Sequence, residues 1–178
     1  YIFNLIIKIG RFNIKKNIVD FGCGHGELKK INNFLKNKSK IINYDVIPEL
    51  SETNNIFNYK FSTICFVQSL YLMDKIQIQN LFNKLKKKKK LHVIVVTSQQ
   101  NIFNKILSYV LNHKNFYKGT VTTPREEESL LLKNFKLIKI KNLFLSKIYF
   151  LKKFNKKETK KVKNITHTKG QTLRMRRT

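Results

Sequence analysis

The chain has 178 residues, the length of one domain with room for a real core. Its 37 lysines and arginines face only 10 acids, a formal charge of +27, yet no apolar run approaches the roughly 20 residues a membrane helix needs. The two cysteines, Cys23 and Cys65, have neither disulfide nor metal-site spacing, which points to unpaired thiols in a reducing, cytoplasmic setting.

Residues 1–9 are apolar apart from one lysine and read as a short helix. No small-residue cleavage site follows, so a signal peptide is not expected. The chain begins at Tyr1 without an initiator methionine, as a fragment or processed form would. Next, Ile18, Val19 and Phe21 read as a short buried strand. Gly22, Gly24 and Gly26 follow at alternate positions, and Leu28, Ile31 and Leu35 fall at helical spacing. The pattern is strand, glycine-rich turn, helix. Glycines let a backbone turn tightly and approach a ligand. The helix start then offers unpaired N–H groups to it.

The glycine spacing selects the ligand class. A dinucleotide fingerprint is G-x-G-x-x-G. Here the turn is G-x-G-x-G, one residue shorter, and Asp20 precedes it. Residues 18–26 resemble the first motif of the class I S-adenosylmethionine-dependent methyltransferases, in particular the small, type 11-like domains. The resemblance implies S-adenosylmethionine (SAM) as cofactor, held around Asp20, Gly22, Cys23, Gly24 and Gly26. Where SAM binds it is expected near the N-terminal helix.

Residues 40–45 read as a second strand ending in Asp45. An acid at that point suits a ribose diol, because one carboxylate has two acceptor oxygens for two vicinal hydroxyls. Residues 46–50, starting at Val46, resemble the segment that follows this acid in the family. Residues 61–73 read as a central strand running into a loop, similar to the family's fourth strand. By position Val67, Gln68 and Ser69 would line the methionine side of the cofactor. Ser62 stands where the family often has an acid.

Ile76, Leu81, Phe82 and Leu85 are expected on one face of a helix over residues 75–85, and residues 91–97 on a strand covered on both sides. The lysine run 86–90 between them reads as a solvated loop, where the family commonly has a Pro-Gly-Gly turn. Another amphipathic helix is expected over 102–111. Thr123, Pro124 and Glu126 form a helix start with a capping box, and Glu127 and Glu128 suit the helix dipole, so these glutamates read as structural. Strand-like runs 135–140 and 143–151 then predict a closing antiparallel hairpin linked at Lys141 and Asn142.

Alternating strands and helices predict an α/β fold with a mainly parallel sheet. The resemblance covers residues 15–151 and implies a Rossmann-like three-layer sandwich with a C-terminal antiparallel hairpin. That sandwich is shortened around the third strand. Only ten residues separate Leu50 from Phe61, and Ile56 and Phe57 are the only trace of that strand. The acid that holds the adenine amine in the family has no counterpart. Residues 1–151 form the expected methyltransferase-like domain. Residues 152–178, with eleven basic residues against Glu158, read as a disordered basic tail for nucleic acid or anionic membrane.

The implied function is methyl transfer to an unidentified acceptor, a small metabolite, a lipid intermediate or RNA. Such a reaction needs positioning more than a triad or a metal. His25 and His113 are weak candidates for a base. The acceptor pocket is expected in residues 99–128, with Phe103, Tyr109, Phe116 and Tyr117. The alternative is a degenerate domain of the same fold that binds RNA or protein without catalysis. A nucleotide-cofactor dehydrogenase is opposed by the glycine spacing. The wealth of Lys, Asn and Ile is what AT-rich coding sequence produces, so +27 overstates the demand for an anionic partner. Phe57 and Tyr71 are available to stack on a base, although packing explains them as well.

Overall fold

The computed structural model describes residues 1–98 and 121–154. The elements run α1 (Ile2–Gly10), β1 (Asn17–Phe21), α2 (Glu27–Phe34), β2 (Lys40–Tyr44), β3 (Thr63–Val67), α3 (Lys75–Lys86), β4 (His92–Ser98), α4 (Pro124–Asn134), β5 (Lys136–Asn142) and β6 (Ser146–Lys152). The six strands form one sheet in the order β2-β1-β3-β4-β6-β5. The first four in that order are parallel. β6 returns antiparallel beside β4, and β5 pairs antiparallel with β6. This is the Rossmann-like α/β sandwich with a closing hairpin that the sequence predicts.

Alternation along the strands sorts side chains onto two faces. Val19, Ile64, Phe66, Val93 and Val95 pack with Ile78, Leu81, Phe82 and Leu85 of α3 and Leu131 of α4. Ile18, Ile41, Cys65, Ile94 and Val96 pack on the other face with Ile6 and Ile7 of α1 and Leu28 of α2. β4 is therefore covered on both sides, which is why its sequence is almost continuously apolar. Edge-to-face pairs Phe66–Phe82 and Phe82–Phe135 bridge sheet and helices. Burying each such ring stabilises by about 1.5–3 kcal/mol.

Three expectations change. Ile76 is 73% exposed, while Ile78 is fully buried. The stripe is Ile78, Leu81, Phe82 and Leu85, spaced i, i+3, i+4 and i+7, and Ile76 lies on the opposite side of that phase. The hairpin turns at residues 143–145, not at Lys141 and Asn142, because β5 runs through to Asn142 and the Leu143 N–H donates to the Ser146 carbonyl at 2.8 Å. Ile56 and Phe57 are no strand remnant. They belong to one 3-10 turn, Ile56–Asn58, where the Asn55 side chain accepts from the Phe57 N–H at 3.0 Å.

Ten residues are too few for a crossover helix and a further parallel strand. The sheet accordingly stops at β2, and Glu52 occupies its outer edge. The Asn43 N–H donates to Glu52 Oε2 at 3.1 Å, and the Glu52 N–H donates to the Asn43 carbonyl at 3.0 Å. The helix expected over 102–111 and residues 155–178 of the tail lie outside the described residues. Among the described residues, no helix is long and apolar enough to cross a membrane.

Candidate functional site

β1 delivers the chain into the glycine turn at the carboxyl end of the parallel sheet. Gly22, Gly24 and Gly26 have φ of 71°, 52° and 75°, the left-handed region that favours glycine. Their surroundings differ. A Cβ on Gly22 would stand 2.3 Å from Ser69 Cβ, and one on Gly26 would stand 2.6 Å from Asn43 Nδ2. A Cβ on Gly24 would meet nothing within 4 Å. Two glycines are therefore packed against protein, and the middle one faces open space.

β2 holds the turn in place. The Gly22 and Cys23 N–H groups donate to the Tyr44 carbonyl at 2.8 and 3.1 Å. The Gly24 N–H donates to Asp45 Oδ2 at 3.0 Å, and the Ile47 N–H donates to Asp45 Oδ1 at 3.1 Å. Each Asp45 oxygen thus accepts one backbone donor. An ionised carboxylate has about four acceptor positions, so this half-buried group retains capacity for two more donors.

Three carboxylates gather here. Asp20 lies on the α2 side of β1 and is 2% exposed. Burial, reinforced by Glu27 and then Asp45, pushes its carboxyl up to about 7. Glu27 occupies the first turn of α2. Cys23 is buried and unpaired, its thiol pushed up to about 12 by burial and then by Asp20 and Asp45. It is a neutral thiol, with Sγ donating to the Leu50 carbonyl at 3.4 Å.

The end of β3 closes the turn from the other side. Ser69 Oγ donates to the Phe21 carbonyl at 2.7 Å. Gln68 is exposed with φ of 52°, and its N–H donates to the Val96 carbonyl at 3.0 Å. Val67 is half-buried against the α1 and α2 face. Asp20, the glycines, Cys23, Asp45 and Ser69 are thus brought together. Val46 is 81% exposed beyond Asp45, and His25 is exposed in the turn. His113, Phe103, Tyr109, Phe116 and Tyr117 lie outside the described residues.

Glu27 was not singled out by sequence, although an acid directly after the third glycine was the available signal. Glu127 was also missed as a buried group. Thr123 and Glu126 form their expected capping box, and Lys75 pairs with Glu126 at 2.6 Å. Glu127, one residue on, is 3% exposed, and burial pushes its carboxyl up to about 7. It sits near the buried Tyr149, whose hydroxyl is hydrogen-bonded with Glu128 and Thr97. The Val121 N–H donates to the Tyr71 carbonyl at 2.8 Å, which holds the approach to α4 beside the end of β3.

No protein-family model matches the chain, and no curated protein matches it in sequence. Solved structures do match. Human N-acetylserotonin methyltransferase in complex with SAM is similar at a TM-score of 0.62 and 16% identity, over 86% of this chain and 52% of that one. The chain thus spans about half the length of that enzyme. A SAM-dependent methyltransferase from Archaeoglobus fulgidus is similar at 0.59 and 13% identity, over 85% and 93% of the two chains. Magnesium protoporphyrin IX methyltransferase from Synechocystis PCC 6803, with bound SAH, is similar at 0.53 and 12% identity, over 86% and 80%. The chain has the fold of the class I methyltransferases, and at these identities the likeness is one of fold.

Proposed function

We propose that this chain is a SAM-dependent methyltransferase domain whose donor site is the glycine turn at the carboxyl ends of β1, β2 and β3. One observation carries the reading. A protein of formal charge +27 places three of its ten acids, Asp20, Glu27 and Asp45, around a turn with open space at Gly24. The donor is a cation, and such a pocket attracts a cation that the rest of the surface repels. The similar structures solved with SAM or SAH support the same assignment.

The residues divide the work. Gly22, Gly24 and Gly26 let the backbone approach the ligand, and Asp45 accepts the ribose hydroxyls. Asp20 and Glu27 supply negative charge, with Val67 and Gln68 beside the methionine portion and Val46 beside the base. Cys23 contributes a neutral wall. When bound, SAM supplies an electrophilic methyl carbon on a positively charged sulfur. The protein holds donor and acceptor in line and excludes water, which is worth several orders of magnitude in rate. For an oxygen or nitrogen acceptor, His25 and His113 are the side chains proposed to take the proton.

The acceptor side is assigned to residues 99–128, whose Phe103, Tyr109, Phe116 and Tyr117 suit a small planar molecule. Two of the similar structures are named for such acceptors, N-acetylserotonin and magnesium protoporphyrin IX. Residues 1–151 form the proposed catalytic domain, and residues 152–178 a basic tail toward an anionic partner. The free thiols fit a reducing, cytoplasmic setting.

Isothermal titration with SAM tests the reading. The folded chain is expected to bind, and Asp45→Ala to bind about 10- to 100-fold more weakly, the loss of charge-assisted hydrogen bonds. No binding by folded wild type, or identical titrations for wild type and Asp45→Ala, overturns it.

A further inference from the structure

The segment that replaces a third strand builds a second site far from the glycine turn. Phe57, Lys84, Lys87 and Lys88 line an open pocket of about 350 Å³. It sits where α3 ends and where the chain enters β3 and β4, at the amino ends of the parallel strands. β3 is five residues long, so the pocket and the turn are separated by about 16 Å of sheet.

Residues 55–62 and 81–92, which build this flank, contain seven lysines and no carboxylate. Helix-dipole complementarity accounts for some of that charge at the end of α3. Internal hydrogen bonds account for more. Lys86 Nζ donates to Asn134 Oδ1 at 2.7 Å, and Lys88 Nζ donates to the Tyr59 carbonyl at 2.8 Å. Lys88 Nζ also lies 3.9 Å from the centroid of the Phe61 ring. Lys84, Lys87, Lys89 and Lys90 are exposed. Lys84 Nζ and Lys88 Nζ stand 5.9 and 6.0 Å from the centroid of the Phe57 ring, which is half-buried against the core. The pocket is thus one supported aromatic ring rimmed by cations with no acid in the flanking segments.

We infer that this pocket binds single-stranded nucleic acid, with one base stacked on Phe57 and the adjoining phosphates on Lys84 and Lys87. A base has an apolar face and its backbone has regularly spaced anions, and the pocket complements both. An anionic membrane would need several apolar side chains to insert, and here a single ring is recessed among lysines. Lys89 and Lys90 extend the track for the strand. The assignment does not depend on methyl transfer.

The experiment uses the full chain and a fluorescein-labelled oligouridylate of about 12 nucleotides, read by fluorescence anisotropy across a salt series. Phe57→Leu keeps the packing and removes the aromatic face. It is expected to weaken binding about 5- to 100-fold with an unchanged salt slope. Phe57→Tyr is expected to bind as wild type. Lys84→Gln combined with Lys87→Gln is expected to lower the logarithmic salt slope by about 1.4, two phosphate contacts on a single strand. Lys139→Gln combined with Lys141→Gln, on the distant strand β5, controls for general charge. If Phe57→Leu binds as wild type, or if the two lysine pairs have equal effects, binding is diffuse and the assignment falls. Phe57-dependent binding to phosphatidylserine vesicles without Phe57-dependent binding of the oligonucleotide also overturns it. Titration of the same variants with SAM is expected to be unchanged, so this inference and the donor-site reading fail separately.

Discussion

Ser69 stands where a side chain on Gly22 would have to be, with only 2.3 Å between its Cβ and the position a Gly22 Cβ would take. Its hydroxyl donates to the Phe21 carbonyl at 2.7 Å, so the end of β3 closes directly over the end of β1. Gly22→Ala therefore meets both a left-handed backbone and a buried neighbour, and is expected to cost about 2–5 kcal/mol in urea denaturation. Gly24→Ala meets only the backbone penalty, about 1–2 kcal/mol. It should stay folded yet lose at least tenfold in SAM affinity, because its methyl group would project into the space assigned to the donor. A folded Gly24→Ala protein that binds SAM as wild type does would displace the donor from this turn.

Asp20 gives a pH signature with a definite sign. Its folded carboxyl titrates at about 7 against an ordinary value of 3.8, so the folded chain holds a proton that the unfolded chain has released. Its stabilising effect is full below pH 4 and is lost as pH rises to about 7. Glu127 acts in the same direction, also from about 7. Asp20→Asn is expected to raise the melting temperature at pH 8 by about 2–8 °C and to weaken SAM binding. Glu127→Gln should raise it without that loss. In wild type, SAM affinity should increase from pH 6 to pH 8, since a cationic ligand favours ionised Asp20. Asp20→Asn should flatten that dependence.

Both thiols are predicted to be inert in the folded chain. Burial holds Cys65 well above its ordinary value and Cys23 at about 12, with Asp20 adding to both effects. Ellman's reagent should react with neither until denaturant is added, and then with both. Rapid modification of Cys23 under native conditions would contradict the buried, acid-flanked environment described for it.

The Thr123 cap is expected to stabilise the start of α4. Thr123 Oγ1 accepts from the Glu126 N–H at 3.4 Å, and the Glu126 carboxylate accepts from the Thr123 N–H at 2.9 Å. Thr123→Ala should cost about 1 kcal/mol. Asp74→Ala, at the matching box of α3 with Gln77, should cost a similar amount. If either substitution left the urea midpoint unchanged, that box would contribute nothing to stability.

Features encoded over a few neighbouring residues were legible. The alternating glycines specified a turn between strand and helix, and all three adopt the left-handed backbone that such a turn requires. Thr123 and Glu126 announced a helix start because both halves of a capping box lie within four residues. Features that depend on phase or distant contact were less so. Ile76 and Ile78 are two residues apart, and the signal that Ile78 faces the core was its i, i+3, i+4, i+7 phase with Leu81, Phe82 and Leu85 rather than its apolar character. Phe57 looked like part of a strand because its apolar neighbour Ile56 suits one, but the short connection forms a 3-10 turn capped by Asn55, and Glu52 occupies the edge of β2. The gathering of Asp20, Glu27 and Asp45 needs the pairing of β1 with β2, which brings Tyr44 and Asp45 to the glycine turn.

If the glycine turn is the donor site proposed above, that carboxylate cluster has a consequence for turnover. Transfer of a methyl group removes the positive charge from sulfur, so fresh donor and spent product differ by one unit of charge at the place where these acids converge. A wall of carboxylates discriminates between them without any difference in shape. It favours loading of the charged molecule and weakens its hold once the charge is gone, which works against product inhibition. The arrangement that makes Asp20 costly to the fold near neutral pH is, on this reading, what lets the pocket empty itself.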